Sequence, residues 1–234
     1  EQKLKDYKSG KIANKPKVEL VMKSPSFIHA LNLNILRNKI LNKIMSIPQK
    51  KKKEPDLSLI GPLLKDAEYY SDSEIIRELY ANLVAASANK DYDGKVHLVF
   101  SSIIKQISPH DAALLIRLPH QGPLASYFMM PGFEVLYEDV YLEDENDEYN
   151  FANTPSIQNF ERLGFLELGR RVQLCGKDLY KRFEKNKIYQ DAENRAKEIY
   201  GDSGSVVLQS GYFIFTKFGQ VFREVCNPSV KLTN

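Results

Sequence analysis

The sequence predicts a mainly α protein with a small β component. A helical N-terminal part is followed by a winged-helix-like C-terminal part with a long wing and an acidic insertion. Three observations lead there. Apolar residues recur at three- and four-residue steps over 28–47 and again over 75–86, the spacing of an amphipathic helix. The stretch "SGYFIFTKFGQVFREVC" changes period: Tyr212 to Phe215 read as a strand, and Phe218, Val221, Phe222 and Val225 then step like a helix. Finally, a short helix ending at Gly164 runs into the strand "FLEL".

Residues 1–53 form a basic segment with one amphipathic helix, closed by Pro48. Residues 54–118 read as a helical domain. Pro62 opens one helix, and "SDSE", Ser71 to Glu74, is a capping box for the next, which runs to about Lys90. "DYDG" is a turn, and a further helix covers about 96–107. "SPHD" caps the following one, with proline at the first helical position. Residues 119–153 are broken by Pro119, Gly122, Pro123, Pro131 and Gly132, and they carry eight acids from Glu134 to Glu148. They read as an acidic insertion with one edge strand. Residues 154–234 read as the winged-helix-like module, with a wing over 169–211. That wing holds a charged helix over about 178–200 and closes in a hairpin or strand, with Ser210-Gly211 as a turn. Thr216 caps the last helix.

The chain of 234 residues is 43% hydrophobic and 27% charged, which suits a soluble protein with a real core. No apolar run approaches the ~20 residues of a membrane span. No charged-then-apolar leader is present, and a cytoplasmic location is expected. The chain starts at Glu1 rather than Met, as a fragment would. Cys175 and Cys226 have no metal or redox spacing and read as reduced, buried thiols.

The net charge of +3 hides an asymmetry: residues 1–53 carry +11 and the remainder −8. The basic part ends in Lys50, Lys51, Lys52 and Lys53. Such a run attracts phosphate or an anionic membrane. Read blandly it is a solvated linker, and the helix before it packs on the body of the protein rather than lying on a membrane.

Enzymatic motifs fare poorly. "GDSGS" lacks the histidine base and double barrel of a serine protease. "DYDG" lacks the glutamate of a calcium loop, because its twelfth residue is Ser102. His97 with Asn89, Asp91 and Asp93 could form a polar cluster of hydrolytic type, and the bland alternative is a histidine bonded to a backbone carbonyl. The helix ending at Gly164 offers Gln158, Asn159 and Arg162, which can read bases. It has one positive charge opposed by Glu161 and lies near an acidic insertion, so protein docking is the preferred use.

"EPDLSLIGPLL", "IRELYANLVAASANKDYDGKVH", "FSSIIKQISPHDAALL", "NFERLGFLEL" and "FTKFGQVFREVC" resemble, in that order, the abortive-infection alpha family of bacterial proteins. One departure is Leu98, where the family usually has proline. The resemblance implies phage defence and no settled enzymatic mechanism. The matched positions are Asn82, His97, Ser108, Asp111, Gly164, Thr216 and Gly219. The expectation is a non-enzymatic interaction or regulatory protein without cofactor or metal, with a protein partner or self-association. The alternatives are a nucleic-acid-binding winged-helix regulator using the lysine-rich segment, and a metal-dependent hydrolase centred on His97. Peripheral membrane contact through the basic helix stays open.

Overall fold

The computed structural model describes residues 25–55, 60–62, 64–66, 72–143, 149–176 and 178–227. The chain divides after Lys105 into two compact units.

In the first unit, helix α1 (Pro25–Ser46) buries Leu36 and Ile40, with Ile47 just beyond it. It packs on α2 (Glu74–Ser87), whose core residues include Leu79, Tyr80 and Leu83. Ser71 of the expected capping box lies outside the described residues. Helix α2 begins at Glu74, and Ser73 occupies the N-cap position without a side-chain capping bond. A turn of 3-10 helix (Lys90–Tyr92) follows, then α3 (Val99–Ile104), shorter than the spacing predicts.

The second unit overturns the predicted fold class. It is mixed α/β rather than mainly α, and it is organised by a four-stranded antiparallel sheet of order β2-β1-β4-β3. After α4 (Pro109–Arg117) come β1 (Gln121–Met130), β2 (Glu134–Val140), α5 (Asn153–Arg162) and β3 (Leu166–Arg170). Then come α6 (Lys181–Lys185), α7 (Lys187–Tyr200), β4 (Ser205–Phe215) and α8 (Lys217–Cys226).

The residues expected to form an acidic excursion supply the sheet's inner strand β1 and its edge strand β2. Strand β1 is covered on both faces, so its burial does not alternate and the period-two signal is lost. Pro123 is tolerated because the β2 ladder begins at Ala125, which leaves the proline beyond its end. Ser210-Gly211 makes no turn. Strand β4 passes straight through it and pairs with β1 from Ser205 to Ile214. The helix, strand, strand, helix order of a winged helix is present in sequence, but the longest ladder is β1 with β4.

The sheet has two differently covered faces. On one, Ala125, Tyr127, Met129, Val140 and Val206 pack against Phe183 of α6 and Ile188, Ala192 and Ala196 of α7. On the other, Phe213 and Phe215 are buried, and Arg223 of α8 lies over the Phe215 ring at 4.4 Å. There the Phe165 ring lies 4.5 Å from Phe222 and 6.3 Å from Phe160. Gly122 makes room for this core, since a Cβ there would stand 2.6 Å from the Phe213 ring.

Phe222 is 1% exposed in this aromatic core. Truncating a buried Phe costs ~3–5 kcal/mol, so Phe222→Ala is expected to lower the denaturant midpoint strongly. A midpoint equal to that of the native chain would show that the ring is not core. A second expectation concerns the first unit. Burial works against the charge of Glu78, but bonds from Lys39 and Lys43 outweigh it and hold its pKa below the ordinary value. A depressed carboxylate adds stability above about pH 4.3, which is lost as pH falls through the lower folded value. Glu78→Gln should therefore flatten the acid limb of melting temperature against pH.

Candidate functional site

Asp139 stands near the end of β2, buried at 1% exposure and held at φ 48°. Aspartate enters this left-handed region more readily than most residues, and the β1–β2 register shifts on either side of Tyr127 accommodate it. Its backbone N–H donates to Ser126 Oγ at 3.2 Å. Its carboxylate accepts a fork from Arg170 of β3: Nε to Oδ1 at 3.2 Å and Nη2 to Oδ2 at 2.8 Å. Gln158 Nε2 reaches the same Oδ2 at 3.4 Å. Arg170 also donates to both oxygens of Glu161, at 3.1 and 2.9 Å. Its pKa is raised by the Glu161 and Asp139 bonds, so it stays charged.

Asp139 and Arg170 belong to the two opposite edge strands. Their ion pair therefore clasps the sheet across one face, and α5 is tied to it through Gln158 and Glu161. Beside the clasp is a cavity of about 170 Å³, walled by Leu124, Phe128 and Val135 and edged by Ser126, Gln209 and Arg171. Farther along the same face, Phe128 faces Val135 on one side and Val207 on the other. Phe133 stacks on Phe128 at 4.9 Å. Phe133, Val135 and Val207 are 51%, 55% and 46% exposed. Together they form one contiguous apolar apron.

The docking helix expected from the sequence is α5, and its polar residues are engaged internally. Gln158 holds the clasp. Asn159 Nδ2 donates to the Gln106 carbonyl at 3.0 Å, and Arg162 donates to Asn159 Oδ1 and Gln106 Oε1.

The lysine run is folded back on the "DYDG" turn. Lys51 pairs with Asp91 at 2.7 Å and Lys53 with Asp93. Lys52 bridges to Asn89, and the Lys50 carbonyl accepts from Lys90. His97 is exposed, and its Nδ1 accepts from the Val99 N–H at 3.2 Å rather than the ring donating to a carbonyl. Among the described residues, no group of three His, Cys, Asp or Glu side chains stands at metal-binding distance. Cys226 is buried, as expected, and burial pushes its thiol pKa up, whereas Cys175 is exposed.

The other matched positions are joints. Asn82 is buried on α2. Ser108 and Asp111 complete the capping box of α4, and Asp111 also accepts from Ser156 of α5. Gly164 ends α5 at φ 75°. Thr216 donates to the Gly164 carbonyl at 2.6 Å and accepts from the Gly219 N–H at 3.0 Å. A Cβ on Gly219 would stand 2.4 Å from the Phe165 carbonyl oxygen. Matched residues thus meet where α5 ends, β3 begins and α8 starts.

The sequence pattern of the abortive infection alpha family matches residues 28–226. The chain belongs to this family. Its name points to phage defence by abortive infection. No curated protein and no solved structure matches the chain. Within this family member, sequence reasoning finds the joints and misses the clasp and the apron. The one signal in the sequence is the apolar and aromatic run around Val135, which by itself reads only as an edge strand in an excursion.

Arg170→Met should strand the buried Asp139 carboxylate. Leaving a buried acceptor unsatisfied costs about 1–3 kcal/mol. The ~3–5 kcal/mol of a fully buried pair is not expected, because the Arg170 side chain is 41% exposed and admits water. Arg170→Lys should recover only part of the loss, since an ammonium cannot form the fork. Urea unfolding of the three proteins checks this, and equal midpoints would refute the clasp.

Proposed function

We propose that this chain is a non-enzymatic interaction protein of an abortive-infection defence system, and that it docks a protein partner on the open half of its sheet. The observation that carries this reading is the size of the cavity beside an exposed apolar apron. At about 170 Å³ it is close to the ~150 Å³ cavity that holds one benzene. Sites for cofactors and drug-sized ligands run to ~300–1,000 Å³. A single anchoring side chain fits, with Phe133, Val135 and Val207 as the surface around it. Anchors seated in well-packed pockets that exclude water dominate binding energy at protein interfaces.

Two other readings have less support. For nucleic acid, the ammonium groups of Lys51 and Lys53 are already matched by Asp91 and Asp93. For a hydrolase centred on His97, those same two carboxylates are committed to the lysines. Among the described residues no helix is long and apolar enough to cross a membrane.

Expression of the intact chain is expected to lower phage plating. The double variant Val135→Lys, Val207→Lys should lose that protection while keeping its melting temperature, because both side chains are about half exposed. Full protection by the folded double variant would sink the docking reading.

A further inference from the structure

We propose that the occupant of this groove is a dipolar segment of the partner protein: an apolar, ring-sized side chain with an acidic residue on one side and a basic residue on the other. This rests on the docking reading and adds the chemistry of the partner. The groove is graded across the strands, from the β3 side to the β2 side. Its β3 side carries Arg171, exposed and held at φ 66°. The Arg170 cation beside it is already neutralised by Asp139 and Glu161. Among the described residues, Arg171 makes no ion pair or hydrogen bond, so it is the free positive charge of the cavity wall.

The middle of the groove offers two further groups with hydrogen-bonding capacity to spare. The Ser126 hydroxyl accepts from Asp139 and retains its own hydrogen to donate. The Gln209 amide has no partner among the described residues. Both suit the backbone of a bound peptide, which needs donors and acceptors when it is taken out of water. The β2 side carries the opposite sign. Glu138 lines the cavity, and its carboxylate is exposed and unpaired among the described residues.

A uniformly acidic segment would meet Glu138, and a uniformly basic one would meet Arg171. Like charges placed together suppress wrong partners, and opposite ones fix register. The apolar wall of Leu124, Phe128 and Val135 takes the central side chain.

The test uses a displayed library of random peptides, about twelve residues long, selected on the intact chain. Enriched peptides should carry an aromatic or large aliphatic residue flanked by an acid and a base. For a synthesised winner, Arg171→Glu and Glu138→Lys should each weaken binding by about tenfold, a shift of roughly 1.4 kcal/mol. A peptide with the facing charge reversed should restore affinity to the matching variant and to no other. Enriched peptides of a single charge sign, or equal binding by Arg171→Glu, would overturn the proposal. So would enrichment that persists on Val135→Lys, Val207→Lys, since those peptides bind elsewhere. An empty selection, with the same double variant still abolishing protection against phage, would overturn the dipolar segment and leave the docking reading standing. Full protection by the double variant would remove the docking reading itself.

Discussion

A buried carboxylate governs the second unit. Asp139 has almost no access to water, and an ion in that position must be matched. The match comes from Arg170, three strands away in the sheet order. Once the two are bonded, the edge strands are drawn toward each other over one face. The Gly211 position lies between them on β4, directly opposite Arg170 in the register, and with no side chain it leaves the path open. Helix α5 then has to present Gln158 and Glu161 on one side, which their three-residue spacing provides.

The placement of α5 is fixed at both of its ends. Near its start, Ser156 donates to Asp111, which is also the third residue of the α4 capping box. At its end, the chain reverses through Gly164, and Thr216 holds the reversed carbonyl while capping α8. Small side chains are required here for a physical reason. Gly219 lies against backbone of Phe165, where no rotamer change could make room for a Cβ. These joints set the aromatic core of Phe160, Phe165 and Phe222 under one end of the face. The other end keeps Phe133, Val135 and Val207 exposed. Exposed apolar residues that cluster and are rimmed by polar ones are the kind of surface that interaction sites use. The uneven covering of one sheet therefore supports the proposed docking role in this member of the abortive infection alpha family.

Local chemistry was legible in the sequence. The SPHD cap, the Gly164 stop, the Thr216 cap and the helical step of Phe218, Phe222 and Val225 all depend on residues within a few positions of each other, and the structure forms each one. The blocks that resemble the abortive infection alpha family were legible for the same reason, being continuous in the chain. The sheet was not. Strand β1 is buried on both faces, so it has no alternation, and its Pro and Gly resemble loop punctuation unless the end of the β2 ladder is known. The bond between Asp139 and Arg170 spans 31 positions and those of Lys51 and Lys53 span 40, beyond the reach of periodicity or spacing. The sequence by itself determined the caps of α4 and α8 and the stop of α5, because capping and backbone conformation are short-range. Only the tertiary structure decided which strand is central, which charges are spent and which apolar residues stay exposed. Those outcomes depend on what covers each face, and covering is a property of the folded chain.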